Sequence, residues 1–185
     1  ITWLGRSLGD ICIYRDWNFG RYTPPRLPQK VDLPNIYLNN NCDNLGLILN
    51  NISLDYSAKQ KMLSALKELN PDIQEFHTKL EGGTVQLYLH ENGMLIPATR
   101  LSDGTLRFMC LLAILCNPRL PQLVCIEEPE LGLHPDIIPT VAHLLKEVSE
   151  KTQVIVTTHS PTLVDYFTNE PECVLDEFLF NLVFR

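Results

Sequence analysis

The chain has 185 residues, of which 45% are apolar and 20% charged, so it is long and apolar enough to bury the core of a globular domain. Its 15 basic and 22 acidic side chains give a formal net charge of −7, which excludes a uniformly basic surface for nucleic acid or acidic lipid. The longest apolar runs fall well short of the ~20 residues that a spanning helix needs, so no membrane segment is predicted.

The first 30 residues differ from the rest, because they carry a net charge of +3, several aromatic side chains and a run of prolines. Prolines disfavour helix, which predicts extended or looped chain up to residue 43. Basic and aromatic residues together leave two alternatives, a nucleic-acid-binding arm or side chains packed against another lobe of the protein. The chain starts at Ile1 without a signal-peptide pattern, so we expect it to be cut from a longer protein.

A helical region begins at Asn44, and the apolar residues between 62 and 69 follow the spacing of an amphipathic helix that Asn70-Pro71 ends. Alternating apolar residues over 85–90 then predict a strand, and Asn92-Gly93 predicts a tight turn into a second strand. The helix is interpreted as an amphipathic surface helix, and the hairpin is interpreted as scaffold.

The last part of the chain alternates helices with short apolar strands. The predicted elements are a turn at 102–104, a helix through Cys116, a strand over 123–126, a helix from Pro135 to about Glu150, a strand over 154–157 and a helix that starts at Ser160-Pro161. This order predicts an α/β fold with a parallel sheet covered on both faces. Functional groups are then expected at the carboxyl ends of the strands.

Polar side chains follow both of these strands. The first strand runs into Glu127, Glu128 and Glu130, which would repel one another unless they face solvent or share a divalent cation. The second strand is followed by His159, which as a single histidine serves either as a structural hydrogen-bond partner or as a catalytic residue. Neither feature alone assigns a function.

The predicted helix start at Ser102-Asp103-Gly104 also has two interpretations. Serine and aspartate are common helix caps, and glycine is common in turns. A helix N-terminus next to a glycine is equally an anion site that suits phosphate oxygens.

The order and spacing of these features resemble the second half of an ABC-type ATPase head. The matching segments are RLSDGTLR (100–107) for the signature motif, 123–128 for the Walker B strand, 129–134 for the D-loop and 154–159 for the switch-histidine strand. The segments LSDGTLRF and IEEPELGLHP are similar to the corresponding motifs of the RecF/SMC-like ATPases of bacteria. These form a branch of AAA ATPases in DNA maintenance and anti-phage defence. This specific resemblance covers residues 99–167.

The resemblance implies a P-loop NTPase fold with ATP and Mg²⁺ as cofactors. Glu128 would polarise the attacking water, Glu127 would hold Mg²⁺ through its water shell, and His159 would sense the γ-phosphate. The signature motif would bind the nucleotide of a second subunit through Ser102, Gly104 and Arg100. ATP would then join a homodimer, or this chain and a second ATPase half, in a cytoplasmic protein that acts on DNA or an effector protein and not on a membrane.

The sequence also departs from the ABC pattern. Asp103 and Thr105 replace the Gly and Gln of the transporter signature, and Glu127 replaces the usual Walker B aspartate, as in the RecF-like branch. None of the nine glycines is followed by lysine, so there is no G-x-x-x-x-G-K-[ST] Walker A motif. No Q-loop is assigned either, because Gln29 lies among prolines with no predicted strand before it.

We therefore interpret residues 1–43 as part of a truncated N-terminal lobe. Residues 44–121 are interpreted as a helical and hairpin region that ends in the signature helix, and residues 122–185 as the Walker B and switch part of the ATPase core. The alternative is a degenerate, non-catalytic interaction module that binds no nucleotide, which the missing Walker A favours for this chain alone. Nuclease activity would need an additional acidic domain, for which the chain has no room.

Overall fold

A computed structural model describes residues 10–15, 17–168, 173–176 and 181–184. The described residues fall into two compact units. The core unit comprises those within 1–15, 120–131 and 135–185, and the signature unit comprises those within 16–119 and 132–134. The division by motif at residues 43 and 121 stays a prediction.

Within the described residues the strands are β1 (Ile11–Tyr14), β2 (Gln29–Lys30), β3 (Ile73–Glu81), β4 (Thr84–Glu91), β5 (Met94–Pro97), β6 (Leu123–Glu127), β7 (Gln153–Thr157), β8 (Cys173–Asp176) and β9 (Asn181–Phe184). The helices are α1 (Leu45–Leu54), α2 (Tyr56–Leu69), α3 (Asp103–Leu115), α4 (Ile138–Ser149) and α5 (Pro161–Phe167). Short 3₁₀ turns occupy Pro24–Arg26, Ala98–Arg100 and Pro135–Ile137. In these parts of the chain we find no helix with the length and apolar character to span a bilayer.

The core unit contains a five-stranded sheet in the order β1-β6-β7-β9-β8. β1, β6 and β7 are parallel, whereas β9 runs antiparallel to both β7 and β8. The predicted α/β class with a parallel sheet is confirmed. The predicted absence of a strand before Gln29 is wrong, because β1 lies there and obtains its hydrogen bonds from β6, more than 100 residues away.

One face of the parallel strands is fully buried. Val124, Ile126, Val154 and Val156 are at most 1% exposed, whereas the residues between them are half-buried. The continuous apolar strands predicted a sheet covered on both faces. Within the described residues, only one face of these strands is fully covered. Each fully buried aliphatic side chain contributes about 1.5–3 kcal/mol to folding, so these four positions anchor the strands that carry the polar loops.

The signature unit contains the antiparallel sheet β2-β4-β3, and β5 also pairs with β4. Asn92 and Gly93, with φ of 49° and 76°, form the turn between β4 and β5 and confirm the predicted hairpin. β3 was not predicted from the sequence, because its alternate residues are polar and partly exposed.

Three helices complete the signature unit. α3 is buried from Leu106 through Leu115 and packs against α1 and α2, which is typical of a helix in the middle of a core. α2 confirms the predicted amphipathic helix, and the Asp55 carboxylate caps it by accepting a hydrogen bond from the Ala58 N–H at 2.9 Å. Because α3 is held on all sides, its first turn is attached to a rigid element.

Candidate functional site

β6 and β7 end side by side, which brings the carboxylates after β6 next to the histidine after β7. Glu127 and Thr157, the last residues of the two strands, are partners in the parallel register. The backbone N–H of Glu128 then donates to the Thr157 carbonyl at 2.9 Å, which extends the pairing by one residue. The carboxyl ends of parallel strands are the usual position of functional groups in α/β folds.

Glu128 has a φ of 45°, in the left-handed region that non-glycine residues rarely adopt. Its carbonyl accepts a hydrogen bond from the Leu131 N–H at 3.1 Å, so both sides of this peptide are held by the fold. Left-handed backbone costs a side-chain-bearing residue about 1–2 kcal/mol. A strained residue that surrounding bonds maintain is typical of functional sites.

The structure places the two predicted catalytic side chains together. Glu128 Oε1 lies 3.4 Å from His159 Nε2, and the two side chains are 31% and 76% exposed. Water therefore reaches both groups, and solvent screening makes an ion pair between them weak in energy. The pair can orient a water molecule and accept its proton, whereas its contribution to folding is small. Their catalytic roles stay predictions.

Glu130 fixes the backbone that carries His159. Its Oε1 accepts hydrogen bonds from Thr158 Oγ1 at 2.6 Å and from the His159 N–H at 2.9 Å. Thr158 is 1% exposed, and its hydroxyl oxygen also accepts from the Ser160 N–H at 3.0 Å. The sequence pattern grouped Glu130 with the other carboxylates and assigned it no role. The sequence signal that could have indicated this role is the position of Glu130 directly after Pro129, which separates it from Glu127 and Glu128.

The residues at this edge fit a Mg²⁺ ion that is shared with phosphate oxygens. Within the described ranges, no group of three or more His, Cys, Asp or Glu side chains is arranged to hold a metal ion. Glu127 is exposed at the strand end, and the hydroxyl of its register partner Thr157 is buried without a hydrogen-bond partner in that part of the chain. Mg²⁺ in nucleotide sites usually has one or two protein ligands, several waters and substrate phosphates, and this donor set agrees with that pattern.

In the signature unit, Ser102 is the N-cap of α3, as the sequence predicted. Its Oγ accepts a hydrogen bond from the Thr105 N–H at 3.0 Å and lies 2.8 Å from Thr105 Oγ1. Ser102 is exposed, and Arg100 is exposed in the 3₁₀ turn before it. The positive end of a thirteen-residue helix is therefore open to solvent at a serine hydroxyl.

Gly104 has a structural role in the fold, whereas its role in nucleotide binding stays a prediction. A Cβ atom at this position would lie 3.1 Å from the carbonyl oxygen of Gly132, which is closer than an ordinary van der Waals contact. Gly132 itself has a φ of 71°, which favours glycine. The two glycines together allow the first turn of α3 to approach the backbone of the predicted D-loop.

Gln29 is part of the scaffold of the signature unit. Its side-chain amide donates to the carbonyls of Pro24 and Cys42 at 3.3 Å each, and its carbonyl oxygen accepts from the Gly46 N–H at 2.6 Å. The side chain is buried and holds the first turn of α1 to the preceding loop.

The basic and aromatic N-terminal segment is divided between buried and exposed residues. Phe19 and Arg26 are buried in the signature unit, whereas Arg21 and Tyr22 are exposed and in cation–π contact. Tyr14 is likewise buried, in the core unit. Buried side chains are not available to nucleic acid, so these three buried residues have a structural role. Trp3 and Arg6 lie outside the described residues.

Residues 14–165 match the protein family described as "AAA domain, putative AbiEii toxin, Type IV TA system". Among solved structures, the chain is similar to an SMC head bound to the C-winged helix domain of ScpA, with 17% identity and a TM-score of 0.50 over 59% of this chain and 36% of that one. It is also similar to a structure from work on "ATP-driven dimerization and DNA stimulated activation of SMC ATPases", with 15% identity and a TM-score of 0.50 over 71% of this chain and 81% of that one. The family match covers most of the chain, which therefore belongs to this AAA-domain family, and its fold is similar to that of SMC heads.

Proposed function

We propose that this chain is the signature-to-switch portion of an ATPase head that binds ATP with Mg²⁺, dimerises around the nucleotide and hydrolyses it. The observation that carries the proposal is the Glu128–His159 pair, 3.4 Å apart and open to water at the carboxyl edge of two parallel strands. Glu128 has a strained backbone, which costs stability, so its conformation is better explained by function than by folding. A carboxylate beside a histidine is suited to acid–base chemistry.

In the proposed mechanism Glu128 accepts the proton of the attacking water, and His159 contacts the γ-phosphate. Glu130 keeps the His159 backbone in place through its two hydrogen bonds. Glu127 would hold Mg²⁺ through water, and the ion, when bound, would neutralise charge at the phosphates. Phosphoryl transfer depends mainly on position and electrostatics, so fixed backbone at these residues favours the reaction.

The signature residues Ser102, Gly104 and Arg100 are proposed to act on the nucleotide of a second subunit. The exposed N-terminus of α3 supports this proposal, because its N–H groups and dipole favour phosphate oxygens. The second SMC structure comes from work on ATP-driven dimerisation and DNA-stimulated activation, and the matching family is described by a putative toxin of a toxin–antitoxin system. By analogy with them, we propose a role in DNA maintenance or defence, with DNA or an effector protein as partner.

The proposal requires a phosphate-binding loop from outside this sequence, because none of its glycines is followed by lysine. The chain spans 36% of the first SMC head that it resembles, so the activity and partners of a whole head are proposals for it. A second candidate, a non-catalytic interaction module, is favoured by the same missing loop.

A substitution in the assembly that includes the phosphate-binding loop tests the catalytic proposal. Glu128→Gln should lower kcat by about 10²–10⁴-fold, because an amide cannot accept the proton. The dissociation constant for ATP should not change. Glu150→Gln, at an exposed position of the core unit, is the matched control and should keep full activity. Unchanged hydrolysis by Glu128→Gln would refute the assignment of the base.

Calorimetric titration separates the two candidate functions. The 185-residue chain alone should bind Mg-ATP weakly or not at all, because backbone N–H groups and a lysine of the P-loop provide most phosphate contacts. Low-micromolar binding by the chain alone would reveal a second phosphate site. An assembly with an intact phosphate-binding loop that still binds no ATP would identify the chain as the non-catalytic module.

A further inference from the structure

Arg26 is a buried charge that no motif explains. It is 5% exposed, although it belongs to the basic segment whose other described cations, such as Arg21 and Lys30, are exposed. A buried guanidinium destabilises a fold unless hydrogen bonds and an opposite charge compensate it. Its partners therefore indicate what it does.

In the described part of the chain, three of the four side-chain hydrogen bonds of Arg26 go to residues just before α3 or at its first position. Nη1 donates to the carbonyls of Ala98 at 3.2 Å and Leu101 at 2.6 Å, and Nη2 donates to the carboxylate of Asp103. The remaining bond runs from Nε to the carbonyl of Phe19 at 3.0 Å. One planar side chain thus spans the 3₁₀ turn, the extended residue after it and the first residue of the helix.

The contact with Asp103 accounts for the acidic residue in the signature motif. Asp103 lies in the first turn of α3, where a carboxylate favours the positive helix end. Its side chain is 71% exposed and therefore has room for other conformations, but in the structure it is paired with Arg26. Arg26 thereby fixes both residues that flank Ser102.

A second contact attaches the same N-terminal segment to α3. The guanidinium carbon of Arg107, one turn further along the helix, lies 5.3 Å from the centroid of the Trp17 ring. Trp17 in turn stacks on Phe19 with 6.1 Å between ring centroids. Residues 17–26, which we name the strut segment, therefore contact the start of α3 at two levels.

We propose that Arg26 is a positioning residue for the signature motif, and that the strut segment sets the orientation of Ser102 and the open N-terminus of α3. The part of this inference that concerns nucleotide rests on the proposed function. The part that concerns the order of residues 98–106 does not.

Hydrogen exchange in the 185-residue chain tests the second part. Arg26→Gln should raise exchange at the N–H groups of Leu101, Thr105 and Leu106 by about tenfold or more, because it removes bonds from a charged donor. Amides in the β3–β4 pair should not change. Arg26→Lys should give an intermediate effect, because an ammonium keeps the charge without the fork.

Two further variants keep the test decisive. Arg21→Gln, at an exposed position in the same segment, should leave exchange at residues 98–106 unchanged. Asp103→Asn removes the opposite charge at an exposed position, so it should fold and give a smaller increase at the same amides. Unchanged exchange in both Arg26→Gln and Asp103→Asn would overturn the positioning role.

The nucleotide part is tested in the assembly that carries a phosphate-binding loop. Arg26→Gln should lower kcat and the ATP-dependent dimer fraction by about tenfold while ATP affinity of the monomer is retained. Mixed with a variant that lacks the phosphate-loop lysine, it should regain activity, because the two defects then fall on one composite site. No recovery under proven subunit exchange would overturn action in trans. A parental assembly without ATP-dependent dimers would instead refute the proposed function, and the exchange result would stand.

Discussion

Replacement of Glu130 by alanine tests whether one carboxylate holds the segment that carries His159. The side chain accepts hydrogen bonds from Thr158 Oγ1 at 2.6 Å and the His159 N–H at 2.9 Å. Alanine removes both acceptors and leaves the buried Thr158 hydroxyl without its carboxylate partner. Order at residues 158–160 should therefore fall more than order elsewhere in the core unit.

The expected magnitude follows from these two bonds and one opposing effect. Hydrogen bonds to a charged group contribute about 1.5–3 kcal/mol each. Glu130 Oε2 is buried without a hydrogen-bond partner in the described part of the chain, so removal of the carboxylate also relieves part of a desolvation cost. A net loss of about 2 kcal/mol is expected, and for a chain of this size that lowers Tm by roughly 4–8 °C.

The assay combines thermal unfolding with hydrogen exchange at residue resolution. The N–H of His159 should exchange about 10-fold faster or more in Glu130→Ala. Glu130→Gln keeps an acceptor oxygen and should give a smaller increase. Glu150→Ala, at an exposed site, is the control for general loss of stability. If exchange at residues 158–160 is the same in Glu130→Ala and the parental chain, Glu130 does not position this segment.

Three further predictions follow from single positions. Gly104→Ala should destabilise the chain by about 1 kcal/mol, because the added Cβ would be overpacked against the Gly132 carbonyl. Gly20→Ala is the control and should be neutral, because its Cβ would have ordinary contacts. Urea unfolding measures the stability of both variants. Ser102→Arg in the complete assembly should abolish ATP-dependent dimers but not folding, and mixing with a phosphate-loop lysine variant should restore up to one site per heterodimer; no recovery would contradict the signature assignment. Burial, with a smaller effect of the adjacent Cys42 thiol, raises the pKa of Cys110 well above its ordinary 9.0. The thiol therefore stays protonated in the folded chain while the unfolded chain ionises, so stability should fall as pH rises above about 9, and less so in Cys110→Ala.

The site elements that the sequence predicted all depend on short-range patterns. Ser102 is a helix cap because serine before Asp103-Gly104 accepts a hydrogen bond three residues later. Glu128 and His159 come together because two apolar strands end at those points, and parallel strands align their carboxyl ends. In both cases spacing along the chain is enough, because the geometry repeats from one α/β fold to another.

Contacts between distant parts of the chain could not be predicted in this way. β1 has a short, partly exposed sequence, and its identity as a strand depends on β6 more than 100 residues later. Glu130 was one of three carboxylates in the sequence pattern. Its structural role depends on hydrogen bonds to residues 28 and 29 positions away. A single side chain that accepts from a buried hydroxyl leaves no periodic signal in the sequence.

The sequence by itself determined the class of the fold, the strand ends that carry Glu127, Glu128 and His159, and the capped helix at Ser102, because each follows from local hydrophobic periodicity and capping chemistry. Only the tertiary structure decided that Arg26 is a buried partner of Asp103 and not a member of an exposed basic arm. The physical reason is that amino-acid composition does not distinguish an arginine in solvent from an arginine in a core. Its role depends on acceptors 72 to 77 residues away, which the folded chain alone brings within hydrogen-bond distance.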